Sequence, residues 1–215
     1  MKVSVDLIFL VVCFLASLTA FFQKPSPAYL KLFPFYFFVT LLVQQIGTYL
    51  SQHSIHNAVL YNVYSIFEFA FNFFVLRLII QNKGVKGTLL FVLILYPLTA
   101  CLNLFYFPQG GTFHTVSYAI CCSLIVVSCI VYFVELFQLP KAINLKREPA
   151  FWICTAILFS YVCTFPFWGL VGFLSTAPPF IIKNLNIILM IINILSYSLF
   201  TIAFLCRIRI RKSTL

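Results

Sequence analysis

The chain has 215 residues, of which 63% are hydrophobic and only 8% are charged, and its formal net charge is +10 at neutral pH. An ordinary soluble domain carries roughly 25% charged residues, so the composition excludes a soluble globular protein and indicates a polytopic membrane protein. A positive charge of this size would suggest nucleic acid as the partner of a soluble protein, but here the basic residues flank apolar runs. We therefore predict no nucleic-acid partner.

Seven apolar segments follow one another along the chain, and a helix needs roughly 20 such residues to cross a bilayer core of about 30 Å. Lys, Pro, Gly, Asn and Gln separate the segments, as expected of helix breakers. The connections are too short to hold a soluble domain, so residues 1–215 are predicted to form one all-α bundle of seven transmembrane helices. The predicted spans are about 5–22, 32–50, 58–81, 88–107, 113–138, 150–174 and 180–206.

The basic residues predict the orientation of this bundle. With the N-terminus outside, twelve of the 14 Lys and Arg residues lie in cytoplasmic segments, and only Lys2 and Lys183 lie outside. Short cytoplasmic loops are enriched in Lys and Arg, so we predict an outside N-terminus and a cytoplasmic C-terminus in the cell membrane (an inner or plasma membrane). The basic tail, residues 207–212, is expected to contact anionic lipid at the cytoplasmic face.

The first apolar segment has an alternative interpretation as a cleaved signal peptide. Lys2, the apolar run and the small residues of Ala16–Ala20 resemble the three parts of such a peptide. Cleavage would leave six helices and place Lys24 and Lys31 outside, against the charge rule, and Leu18 is bulkier than the residue preferred near a cleavage site. We therefore favour a retained first helix.

Glu68 is the acidic residue expected nearest the bilayer midplane, about 15 Å into the third span at 1.5 Å per helical residue. Burial disfavours the carboxylate, so Glu68 is expected to be protonated unless a cation reaches it. Spacings of four, three and four residues place Tyr61, Ser65, Glu68 and Asn72 on one helix face. Tyr64 lies one turn from Glu68, and the whole face is predicted to point into the bundle.

Neutral side chains are the expected partners of Glu68, because no Lys, Arg or His lies at its depth in another span. The candidates are Gln44 and Gln45 in the second span, Tyr161 in the sixth and Asn193 in the seventh. Two interpretations stay open: a site for a substrate, ion or proton, or a polar clamp in which a neutral acid hydrogen-bonds between helices. We adopt the site as the working hypothesis.

Arg77 and Glu135 lie near the predicted cytoplasmic ends of the third and fifth spans, at similar depth. They are a candidate ion pair if those two helices touch. The alternative is that each side chain extends its charged end to the interface independently. We favour the alternative, and in either case the two residues are interpreted as architecture.

A zinc site is the enzymatic alternative, because His53, His56, His114 and Asp6 all map to outer loops or helix starts. Imidazoles and a carboxylate suit Zn²⁺, and seven-helix intramembrane hydrolases with a three-His zinc site are similar in plan. That family keeps a His pair in its last two helices, where this chain has none. We predict no metal, no cofactor and no enzymatic activity, and the eight Cys residues fit neither a metal motif nor a disulfide framework.

The third span carries Tyr61-Asn62 followed by Glu68-Phe69. This stretch resembles a signature of small, uncharacterised bacterial multi-pass proteins. The resemblance covers one helix and implies a membrane protein without a known activity.

Other seven-helix families agree less well with the sequence. Retinal proteins need a Lys in the middle of the last helix, whereas Lys183 lies at its outer end, and the motifs of hormone-type receptors are absent. Sugar uniporters with a three-plus-one-plus-three helix plan are similar in length and orientation, and they place Asn in helices 3 and 7, where Asn72 and Asn193 lie. Their Pro-Gln motifs are missing here from the expected helices.

These observations predict a non-enzymatic integral membrane protein with a polar interior site, for sensing or ligand binding or for translocation of a solute or ion. The alternatives are a uniporter-like transporter of small solutes, a membrane partner or pore-type effector controlled by a neighbouring protein, and an intramembrane zinc hydrolase. The expected partners are the lipid bilayer, a small molecule or ion, and a protein partner.

Overall fold

A computed structural model describes residues 5–22, 26–106, 115–138, 144–169 and 178–206. This part of the chain contains helices and no strand. Short 3₁₀ segments at Ala28–Leu32 and Leu145–Arg147 precede two of the helices. The helices are α1 (Val5–Phe22), α2 (Phe33–Gln52), α3 (Ala58–Ile79), α4 (Lys83–Tyr106), α5 (Thr115–Phe137), α6 (Pro149–Gly169) and α7 (Pro179–Leu205).

Seven helices of the described residues are long and apolar enough to cross a membrane. The prediction of an all-α protein with seven candidate spans is confirmed in this respect. Large apolar side chains lie exposed around the bundle, among them Phe22, Phe91 and Phe137. Lipid solvates such a surface better than water does, so these exposed side chains suit a protein embedded in a membrane.

The start of α4 differs from its prediction, because the helix begins at Lys83 and not near residue 88. Asn82 explains the earlier start: its Oδ1 accepts the backbone N–H groups of Gly84 at 2.9 Å and Val85 at 3.3 Å. An Asn at this position satisfies N–H groups that the first helical turn leaves free. The predicted start of the fifth span and the predicted end of the sixth fall outside the described residues.

Six of the helices pack side by side in the order α1, α2, α3, α5, α6, α7, and α7 returns to α1. This arrangement closes a ring around an interior. α4 packs mainly on α3 and buries little of its surface, so it lies on the outside of the ring. α3 also contacts α6, so its inward face lies close to several helices.

An aromatic cluster seals one half of the interior. The fully buried Phe33 at the start of α2 has its ring centroid 5.3 Å from Phe71 on α3, 5.6 Å from Phe200 and 5.5 Å from Phe204 on α7. Phe37 continues the cluster against Phe200 at 5.5 Å. Rings of this size at these separations gain dispersion and edge-to-face contacts, so this cluster joins α2, α3 and α7 in the half of the bundle that is predicted to face the cytoplasm.

Candidate functional site around Glu68

The Glu68 carboxyl group connects α3 to α6 by a hydrogen bond. The Tyr161 hydroxyl on α6 donates to Glu68 Oε1 at 3.1 Å, and Tyr36 on α2 interacts electrostatically with the same carboxyl group. Asn72 lies one turn along α3 and donates through Nδ2 to the Tyr161 hydroxyl at 3.0 Å and to the Glu68 backbone carbonyl at 2.9 Å. The predicted partner Tyr161 and the predicted neighbour Asn72 are therefore both in contact with Glu68.

A second group of polar side chains lies between α2 and α3. The Tyr64 hydroxyl lies 2.8 Å from Thr40 Oγ1, which also donates to the Tyr36 backbone carbonyl at 2.9 Å. Tyr36 and Tyr64 interact electrostatically with each other and with Glu68, so this group lies close to the carboxyl group.

Tyrosines from six helices surround the Glu68 carboxyl group closely enough to interact with it electrostatically, one each from α2 to α7. They are Tyr36, Tyr64, Tyr96, Tyr118, Tyr161 and Tyr197. Among the described residues, no Lys, Arg or His interacts with this carboxyl group. The site is therefore one ionisable acid in a shell of neutral hydroxyls and aromatic rings.

The side chains around Glu68 are buried to different degrees. Glu68, Tyr64, Tyr96 and Tyr197 are half-buried, whereas the other three tyrosines of this shell are buried.

The predicted inward face of α3 meets different neighbours at different heights. Ser65 is buried and donates to the Asn62 carbonyl at 2.8 Å. The Tyr61 hydroxyl lies directly over the buried Gly47 of α2, where a Cβ atom would meet it. Tyr61 therefore supports the close approach of α2 and α3 and does not reach Glu68.

The remaining predicted partners lie away from the carboxyl group. Gln44 donates through Nε2 to Asp6 Oδ2 on α1 at 3.1 Å. Gln45 is exposed on the outside of the bundle, and Asn193 is half-buried on α7 and is not among the residues hydrogen-bonded to Glu68. Consecutive residues of a helix point about 100° apart, so Gln44 and Gln45 cannot both face the interior.

The residues considered for zinc do not form a site in the described structure. His53 and His56 are exposed, and the His53 ring stacks on Tyr49 with centroids 4.3 Å apart. Asp6 is bonded to Gln44, and His114 lies outside the described residues. No group of three His, Cys, Asp or Glu residues in this part of the chain is placed to hold a metal ion.

Glu135 acts as a cap between helices. Its Oε2 and Oε1 accept the backbone N–H groups of Gln81 and Asn82, each at 2.9 Å, just before α4 begins. A carboxylate is favourable at a helix N-terminus, so among the described residues Glu135 caps α4 and forms no ion pair with Arg77. Arg77 Nε is buried without a hydrogen-bond partner among the described residues.

A cleft of about 700 Å³ opens beside this cap at the predicted cytoplasmic end of the bundle. Glu135 and Glu148, two of the four acidic residues of the chain, line it together with Tyr29 and Tyr132. Glu68 does not line the cleft, so the two features are separate.

Sequence reasoning missed four of the tyrosines that surround Glu68: Tyr36, Tyr96, Tyr118 and Tyr197. A usable signal was present, because every span from the second to the seventh carries at least one Tyr, but a single sequence does not show which rings converge. Comparison with protein-family models, with curated proteins and with solved structures gives no match. The function is therefore argued from the geometry alone.

Proposed function

We propose that the chain is a non-enzymatic integral membrane protein that binds a small monovalent cation at Glu68 in exchange for a proton, for translocation or sensing of that cation. The observation that carries the proposal is the isolated Glu68 carboxyl group: it accepts a hydrogen bond from Tyr161 on α6, it is surrounded by tyrosines, and it has no basic partner among the described residues.

The first supporting argument is the cost of charge. An unpaired charge at the centre of a membrane helix costs roughly 2.5–3.5 kcal/mol on insertion scales. The hydrogen bond from Tyr161 offsets only part of this cost, because it leaves the net charge unchanged. Neutrality at Glu68 therefore requires a proton or a bound cation, and the two compete for the same carboxylate oxygens.

The second supporting argument is the chemistry of the lining. Tyr hydroxyl oxygens are donors and acceptors, and tyrosine faces attract cations such as ammonium groups. Tyr64, Tyr96 and Tyr197 are the partly accessible members of the tyrosine shell. A carboxylate, hydroxyl oxygens and aromatic faces together suit a small monovalent cation and offer nothing that attracts an anion.

The proposal places the protein in the cell membrane with the N-terminus outside, the C-terminus in the cytoplasm and the basic tail on anionic lipid. We expect reporter fusions after Leu215 and within Gly110–Gly111 to report opposite sides of the membrane, because the charge rule places twelve of the 14 basic residues inside. Fusions that report the same side contradict this orientation and the seven-helix topology together.

Cation binding is tested by thermal unfolding of the detergent-solubilised protein in sodium, potassium, methylammonium and tetramethylammonium chloride, with N-methylglucamine chloride as the ionic-strength control. We expect at least one cation to raise the unfolding midpoint. A ligand at 100 times its Kd stabilises the folded state by about 2.7 kcal/mol. The cation should raise the unfolding temperature more at pH 8 than at pH 6, because fewer protons compete for Glu68 at pH 8.

Two results contradict the proposal. One is that no cation of the panel raises the midpoint above the N-methylglucamine control at either pH. The other is an increase that is the same at both pH values, which means that the cation binds without displacing a proton.

A further inference from the structure

We infer that the cleft at the predicted cytoplasmic end of the bundle binds a small organic cation that carries ammonium groups. The cleft has a volume of about 700 Å³, and small-molecule sites typically measure roughly 300–1,000 Å³. Glu68 is not part of its lining. The inference therefore goes beyond the proposed function and does not depend on it.

The lining of the cleft is negatively charged. Glu135 near the end of α5 and Glu148 just before α6 both line it, and the described lining contains no Lys, Arg or His. Lys146 and Arg147 directly precede Glu148, but both are exposed and neither forms an ion pair with it in the described structure. The two carboxylates therefore attract a cation that the described lining does not supply.

The two carboxyl groups of the cleft differ in what they already bind. Glu135 accepts the backbone N–H groups of Gln81 and Asn82, each at 2.9 Å, and the start of α4 offsets part of its charge. The Glu148 side chain is half-buried and has no hydrogen bond or ion pair with another described residue. Glu148 is therefore the main anchor for an ammonium group, and Glu135 is available for a second one.

Tyr132 adds a hydroxyl without a protein partner to the same cleft. The side chain is only 6% exposed, and it interacts electrostatically with Glu148 and Tyr29, which also line the cleft. The hydroxyl forms no hydrogen bond with another described residue. A polar group this deeply buried normally has a partner, and an N–H group of a ligand in the cleft provides one.

The rest of the lining defines the class of cation. Leu78, Ile79 and Leu136 supply apolar surface, and tyrosine rings attract ammonium groups. A bare metal ion would leave most of a cleft of this size empty and the apolar side chains without contacts. An alkyl chain with an ammonium group at each end supplies both the charge and the apolar surface that this lining calls for.

The test is isothermal titration calorimetry of the detergent-solubilised chain with 1,6-diaminohexane at pH 7.5, where alkylamines are protonated. We expect saturable binding of the diamine and no binding of 1,6-hexanediol, which has the same length and no charge. Glu148→Gln should weaken binding about tenfold or more, because the ammonium group loses its charged partner. Tyr132→Phe should weaken it about threefold to tenfold, the loss expected for one hydrogen bond.

Two further variants serve as controls. Tyr49→Phe is matched to Tyr132→Phe, because Tyr49 is 59% exposed and lies outside the cleft. Glu68→Gln removes a carboxyl group from the other site. Both controls should bind the diamine with the wild-type Kd.

The cleft site is overturned if the wild type does not bind the diamine, if it binds the diol equally well, or if Glu68→Gln loses diamine binding. It is also overturned if folded Glu148→Gln and Tyr132→Phe both bind with the wild-type Kd, and Tyr132→Phe alone decides if Glu148→Gln does not fold. Weaker binding in the two cleft variants with wild-type binding in Glu68→Gln supports the site, even where no cation of the panel binds at Glu68.

Discussion

Glu68→Gln is expected to fold with nearly wild-type stability and to lose cation binding. The amide keeps a carbonyl oxygen that accepts a hydrogen bond from Tyr161, and interhelical hydrogen bonds in membranes average only about 0.6 kcal/mol. The free energy of unfolding without a bound cation should therefore change little. The neutral amide of the variant can no longer balance the positive charge of the bound cation. Loss of one partner of a buried charge pair costs roughly 3 kcal/mol, which corresponds to about a 100-fold loss of affinity.

The measurement is the midpoint shift produced by the best cation of the panel, together with the protons released into a weakly buffered solution when that cation is added. Wild type should release up to one proton per chain and Glu68→Gln none. Glu68→Asp serves as the control, because it keeps the carboxyl group and should keep proton release with weaker binding. Wild-type proton release from Glu68→Gln contradicts the assignment of the site.

Phe33→Ala is expected to cause the largest loss of stability. The Phe33 ring is fully buried and contacts Phe71, Phe200 and Phe204, so truncation opens a cavity at the junction of α2, α3 and α7. A Phe→Ala change in the core of a soluble protein costs about 3–5 kcal/mol. In a membrane protein the unfolded state exposes the ring to lipid and not to water, so we expect Phe33→Ala to lower the free energy of unfolding by on the order of 2–3 kcal/mol.

Phe35→Ala is the matched control for this experiment. Phe35 lies on the same helix but is 62% exposed, so lipid replaces the lost ring and the free energy of unfolding should change by roughly 0.5 kcal/mol or less. Both variants are compared by unfolding in the same mixed micelles. Equal destabilisation by the two changes means that the aromatic cluster does not hold α2, α3 and α7 together.

The helices were predictable because hydropathy depends on local sequence alone. Each span needs a long apolar run, and α1 was predicted at its observed bounds. The start of α4 was predicted wrongly, because it depends on a side-chain cap at Asn82 and on Glu135 from another helix. The second of these is a tertiary contact that hydropathy does not register.

The candidate site was predictable only in part. The four-residue spacing from Glu68 to Asn72 follows from helix geometry, and Tyr161 was a candidate partner because it is a polar residue of another span. Helical periodicity fixes a face but not its neighbours, because packed helices cross at an angle. Tyr61 therefore meets Gly47 although it shares a face with Glu68, and Tyr36 was missed although it interacts electrostatically with Glu68.

Exchange of a proton for a cation at Glu68 is tested most directly by the infrared difference spectrum of the protein with and without the best cation of the panel. We predict that the cation removes the protonated C=O band of Glu68 and produces carboxylate bands of matching intensity, and that Glu68→Gln shows neither change. Binding of the cation with the Glu68 band unchanged contradicts the account, as does a Glu68 that is already ionised before the cation is added.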